Sequence, residues 1–388
     1  MCRFLFFILF IAFTSYSQQS KNVPNSSGQN SEVEIQAPTM NNSNAVMEEI
    51  RIESSKKLKS RSASDSFDGD KYENVNLQQQ ISSNYASFSS YLNQSQWMSE
   101  RKTPTSEQLK YMENYLNNLR EIGPNSYERN IAEFQFSKYS SDKFIYLQKA
   151  ERHNMDNKEV QKLMVSHYEI IDDQRKKSEY LKKLYDSKYF SDDLSYYAEL
   201  VLKSVDDNAL LITHGIEDTY PIWMKQQINK IGTNIHVLSL DLIHDDNYRE
   251  KFKSLGYVFP NRSIIDSDYL TEFKSLNSGK KLNFSMSIPG NYFKNIVDDL
   301  LIEGVTFTNM SSNNVLMNNS FYNYLKGNKK FTSPNTAKGE KLQLNLIPML
   351  FLLHEKDTKI SSNELEQLMF TITKRLGRDR ELKNLLSK

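Results

Sequence analysis

At Ala209 the spacing of apolar residues changes, and that change restricts the fold more than any other feature of the chain. Upstream, from about residue 105, apolar side chains recur every three or four positions, as on helices. "NALLIT" then runs Ala209 to Ile212 without a polar break, and "NIHVLSLDLI" (234–243) is rich in branched residues. Both read as short buried strands. Residues 220–230 between them, with Ile222, Trp223, Gln226 and Ile228, read as a helix. Strand, helix and strand within about 35 residues form a βαβ unit, which places 209–213 and 236–241 parallel in one sheet.

"KLNFSMSI" (281–288) and "GVTFTN" (304–309) are further strand candidates, with 291–303 expected as a second crossover helix. "LQLNLIPMLFLL" (342–353) is too short to span a bilayer, which takes about 20 apolar residues, and reads as a core element. Residues 361–387 are helical, with Leu365, Leu368, Met369 and Ile372 on one face.

The helical part carries an internal echo. Shifting the chain by 34 residues places Ile131 on Val165, Phe134 on Tyr168, Tyr146 on Tyr180 and Leu147 on Leu181. Ala132 falls on Ser166, while Leu184 opposite Ala150 breaks the pattern. That period is the spacing of tetratricopeptide repeats, which residues 105–190 loosely resemble. The expected class is therefore α+β: a helical repeat-like domain (101–205), then a Rossmann-like α/β domain with a helical C-terminus (206–388).

The N-terminus fits export. Arg3 precedes an apolar run, Phe4 to Phe13, and Ser15-Tyr16-Ser17 offers small residues for a signal peptidase, so 1–17 reads as a signal peptide. Cys2, the one cysteine, would leave with it, which excludes a disulfide, a thiol nucleophile or cysteine-ligated zinc in the mature chain. No later apolar run is long enough for a transmembrane segment. Residues 18–100, dominated by Ser, Asn and Gln, are expected as a disordered tether. With 49 basic and 48 acidic residues, the chain has no bulk attraction to nucleic acid. A periplasmic or cell-surface location follows.

Chemistry is sparsely signalled. GxGxxG, Walker A, HExxH and GxSxG are all absent from the sequence. In an open parallel sheet, ligands bind beyond the carboxyl ends of the strands. His214, Glu217 and Asp218 follow the first strand; Asp241, His244, Asp245 and Asp246 close the second. His214, Glu217, Asp218 and Asp241 are thus the candidate catalytic residues, and His214, Asp218, Asp241 and His244 the candidate ligands of a divalent metal. No cofactor motif is present. A structural reading competes. Asp218 or Thr219 would cap a helix that Pro221 opens, Gly215 would let the backbone turn, and Asp245-Asp246-Asn247 would cap a helix over 248–254.

At these residues the chain resembles a family of bacterial multi-span membrane proteins of protein O-mannosyltransferase-like type. Its soluble part carries Gly-Asp-Asn-Asp-Thr-(Tyr/Phe)-Pro-Leu-Trp after one strand. Gly215, Asp218, Thr219, Tyr220, Pro221 and Trp223 match it, whereas Ile216 and Glu217 depart from it. "VLSLDLI", "DDLLIEGVTF" (298–307) and "NLIPMLFLL" (345–353) are similar to later elements of that part. The resemblance covers about 195–388 and implies a fold; glycosyl transfer would belong to the family's membrane spans. The reading is a secreted envelope scaffold of a Gram-negative bacterium that binds protein partners through its helices. The alternative is an envelope enzyme, a metal-dependent hydrolase or glycan-processing factor, with its site at 214–218 and 241–246.

Overall fold

A computed structural model describes residues 69–95, 104–137, 141–310, 314–328, 333–357 and 359–387. The expected signal peptide, 1–17, and residues 18–68 and 96–100 of the expected tether lie outside them.

Helix α1 (Gly69–Gln94) occupies the end of that expected tether, which is a correction. Ile81, Phe88 and Leu92 recur at helical spacing beneath the polar composition and bury against Met112, Leu116 and Leu119 of α2 (Ser106–Ile122). Thr105 and Gln108 close a reciprocal capping box at the start of α2. Two contacting helix pairs follow: α3 (Tyr127–Phe136) with α4 (Phe144–His153), and α5 (Lys158–Ile170) with α6 (Gln174–Asp186). The 34-residue shift maps the first pair onto the second, and Ile131, Val165, Leu147 and Leu181 are all fully buried. Helix α7 (Asp192–Lys203) leads to the sheet.

The chain is α+β. Five strands, β1 (Leu210–Thr213), β2 (His236–Ser239), β3 (Leu282–Ser285), β4 (Leu301–Glu303) and β5 (Thr306–Thr308), lie in the order β2-β1-β3-β5-β4. Strand β1 is parallel to both β2 and β3, with Leu210 opposite His236 and Ile212 opposite Phe284. Helix α8 (Ile216–Gln227) links β1 to β2, as the period change implied. Helices α9 (Asp246–Lys253) and α10 (Ser267–Leu276) lie between β2 and β3. Asp245 caps α9 through the N–H groups of Asn247 and Tyr248, and the helix starts at Asp246, two residues before the expected start at 248.

The expected crossover helix at 291–303 is absent. In its place stand two 3-10 turns and β4, which forms a hairpin with β5, itself antiparallel to β3. Gly304 at φ +57° makes the two-residue turn possible. The remaining helices are α11 (Asn314–Gly327), α12 (Ala337–Gln343), α13 (Ile347–Lys356), α14 (Ser362–Arg375) and α15 (Asp379–Leu386). Residues 342–353 are a buried core element running through α12, a 3-10 turn and α13. Among the described residues no helix is long and apolar enough to cross a membrane. One buried cluster extends from Ile131 to Leu385, so the helix pairs and the sheet share a core.

Candidate functional site

Gly215, two residues past the end of β1, is the N-cap of α8, at φ +82°. A Cβ there would meet nothing within 4 Å, so the backbone conformation, and not crowding, calls for glycine. The helix starts at Ile216, and Pro221 is inside it. The expectation that Pro221 opens the helix is therefore corrected. Proline has no N–H to offer the Glu217 carbonyl, so one interior helix bond is missing.

The capping expectation is corrected as well. Gly215 makes no side-chain cap bond. Asp218 reaches back past the helix start, and its Oδ2 accepts the N–H of His214 at 3.0 Å. Its Oδ1 accepts the hydroxyl of Ser285, at the end of β3, at 2.8 Å. Thr219 shares a hydrogen bond with Thr213 at 2.8 Å. Asp241, after β2, accepts the N–H of Gly215. The carboxyl ends of all three parallel-paired strands are thus tied together at one point.

The candidates separate accordingly. His214, Asp218 and Asp241 meet around Gly215. Glu217 turns outward to Lys338 on α12. His214 Nε2 lies 3.3 Å from the Tyr292 hydroxyl. His244 is half-buried on the turn between β2 and α9. Among the described residues no three His, Cys, Asp or Glu side chains are grouped to hold a metal ion. Both Asp218 oxygens are already engaged, so a ligand role would first break two hydrogen bonds.

Ser285, Ser287, Tyr197, Tyr292 and Asn345 complete the polar cluster and were not singled out from the sequence. All are buried, and Asn345 donates to the Tyr197 hydroxyl at 2.6 Å. Serines two apart at the end of "KLNFSMSI" were the one local signal. Asp218 is 6% exposed, and burial pushes its carboxyl up to about 6, against the pull of the His214 N–H and the serine hydroxyls. Such a group could exchange a proton near neutral pH, but it faces protein on both oxygens.

Two cavities lie at the other end of the strands, where sequence reasoning placed nothing. A cleft of about 370 Å³ is bounded by α5, α6, α8, α9 and the start of β2. In its wall Glu169 is paired with Lys177 and, at 2.9 Å, with Lys251. Lys251 also bonds Asp172 at 2.8 Å. The Lys177 ammonium stands 4.5 Å from the centre of the Trp223 ring. Burial pushes Lys177 down despite Glu169. Burial pushes Glu169 up, but the two lysines prevail and hold it below the usual carboxylate range. A second cavity of about 300 Å³, lined by Asn208, Tyr257, Lys280 and Lys281, shares His236 and Leu255 with the first.

Residues 194–352 match the family model of TMEM260-associated domain 2, a span of less than half the chain that begins in α7 and ends in α13. No curated protein and no solved structure matches the chain. The matched span contains the whole sheet and the Asp218 cluster.

Proposed function

We propose that this chain is an exported interaction protein of a Gram-negative envelope, holding a protein partner through its helical surface. Its α/β part corresponds to the soluble part of the O-mannosyltransferase-like membrane family, and its strands β1–β3 carry the Rossmann-like portion of that fold. The match to TMEM260-associated domain 2 over 194–352 supports this correspondence. The two helix pairs stand for tetratricopeptide-like units, which present side chains rather than perform chemistry.

One observation carries the non-catalytic reading. Where an open α/β sheet would place its reacting groups, Asp218 is closed in, with both oxygens engaged by His214 and Ser285. The helical part instead exposes large apolar side chains, among them Met155 and Ile171, at 65% and 44%. The test is in-cell cross-linking of the tagged full chain in its own envelope, compared with a Met155→Asp/Ile171→Asp variant. A specific protein cross-linked to the parent and lost from the folded variant is the expected result. A turnover activity abolished in a folded Asp218→Asn protein would favour the enzyme alternative, with its site at the carboxyl ends of β1 and β2.

A further inference from the structure

The two cavities at the amino ends of β1 and β2 adjoin at His236 and Leu255 and form one groove. Its lysines Lys177, Lys230, Lys251, Lys280 and Lys281 stand against the acids Glu169, Asp172, Asp206 and Glu303, and the pairing is uneven. Lys177 and Lys251 are compensated by Glu169 and Asp172, and Lys281 by Asp206 and Glu303. Two lysines remain. Lys230 lines the first cavity and is exposed. Lys280 lines the second, donates to the Leu255 carbonyl at 2.8 Å and lies over the Tyr257 ring. Neither ammonium meets a carboxylate among the described residues. The net surplus is one positive charge, but the two ammonium groups without a carboxylate each make a local centre of positive potential in a concave place.

Backbone strain gathers at the same place. Of the four non-glycine residues with left-handed φ among those described, Asp172, Asn208 and Lys230 line the groove. Aspartate and asparagine adopt that conformation readily; lysine does so at a cost. The loop that presents Lys230 is held by Gln226, whose amide donates to the carbonyls of Gly232 and Ile235 at 2.7 and 2.8 Å. The loop that carries this long cation is thus tied down at its backbone, at a φ where glycine would be unstrained.

We infer that this groove binds an extended acidic segment of a protein partner, with carboxylates at Lys230 and Lys280. The two unpaired lysines line different cavities, which favours an elongated ligand over a compact anion. Between them, Leu255 is 42% exposed and offers an apolar contact. In the same wall the Gln227 amide donates to Gln174 at 3.3 Å and Gln174 donates to Asp172 at 2.7 Å, which leaves the Gln227 carbonyl oxygen as an acceptor for a peptide N–H. The inference rests on the reading of the chain as an interaction protein and adds the chemistry of what it holds.

The probe is a fluorescently labelled octapeptide of glutamate, glycine and leucine, titrated into the full chain and followed by polarisation, with a lysine-for-glutamate peptide as control. Saturable binding that weakens steeply with salt is expected. Lys230→Glu/Lys280→Glu should weaken it at least about tenfold, and Lys230→Arg/Lys280→Arg should preserve it. Far-UV circular dichroism confirms that each variant is folded. Failure to saturate, equal binding of the lysine peptide, or indifference to charge reversal would overturn the groove assignment. Met155→Asp/Ile171→Asp tests the interaction reading separately, because those residues do not line the groove.

Discussion

The carboxylate of Asp218, in the first turn of α8, accepts the hydroxyl proton of Ser285, at the end of β3, across 2.8 Å and 67 residues of chain. Its other oxygen holds the His214 N–H, where β1 ends. One side chain therefore joins the turn that leaves β1 to its neighbouring strand, in a place nearly closed to water. What resembles an exposed acidic loop in the sequence is an internal brace.

Replacing that brace should be costly. Asp218→Ala leaves a backbone N–H and a buried serine hydroxyl without their acceptor. A loss of about 2–4 kcal/mol in chemical denaturation is expected. Thr219→Ala, which removes the bond to Thr213, should lose about 1 kcal/mol, and Ser285→Ala, which removes the bond to Asp218 and the acceptor of the Ser287 N–H, about 1–2 kcal/mol. A fully tolerated Asp218→Ala would mean that the loop is held by other contacts.

Stability should also depend on pH through Asp218. Its folded-state carboxyl is raised from 3.8 to about 6, so folding favours the protonated form. This contribution is fully present below pH 3.8 and is lost as pH rises through about 6, which amounts to about 3 kcal/mol. Asn cannot ionise, so Asp218→Asn should remove this dependence. Between pH 4 and 7.5 the stability of the parent relative to the variant should fall by about 2–3 kcal/mol, read from denaturation midpoints of both. Parallel profiles would rule out the raised carboxyl.

At the β4–β5 turn, Gly304→Ala is expected to destabilise by about 2–3 kcal/mol. The backbone is left-handed there, and the new Cβ would lie 2.2 Å from the Ser204 hydroxyl oxygen. That hydroxyl is itself committed, accepting the Val305 N–H and donating to the Leu200 carbonyl. Thermal unfolding reads the loss.

Tyr248 seals the outer edge of β2. Its hydroxyl accepts the Ser239 N–H at 3.0 Å and donates to the Val237 carbonyl at 3.4 Å, standing in for a missing strand. Tyr248→Phe should lose about 1–3 kcal/mol and speed amide exchange at Ser239. Unchanged exchange there would show that the edge is protected by burial alone.

The buried pair Glu169–Lys177 offers a further contrast. Lys177→Met removes one of two cations from a carboxylate that is itself buried, and a loss of about 3 kcal/mol is expected. The double variant Glu169→Leu/Lys177→Met should recover most of it, since two charges then need no desolvation. A double variant no more stable than the single one would show that Lys251 requires Glu169.

Much of the architecture was legible because it depends on short-range spacing. The unbroken apolar run at Ala209–Ile212 marked a strand buried on both faces, and Asp245 marked a helix start by its side-chain oxygen. Composition concealed other elements. Ser- and Gln-rich flanks hid the Ile81, Phe88 and Leu92 stripe of α1, and the apolar spacing of 291–303 suits a helix as well as turns and a hairpin.

The sequence by itself determined the parallel β1–α8–β2 unit and the glycine at its turn, because strand burial and left-handed φ are local demands on residue type. Only the tertiary structure decided what Asp218 does, since its partner Ser285 comes from another strand and no spacing rule links them. The groove depends on tertiary structure in the same way. Glu169, Lys177, Lys230 and Lys251 stand on α5, α6, the loop after α8, and α9, and their charges balance or fail to balance only when packing brings those elements side by side.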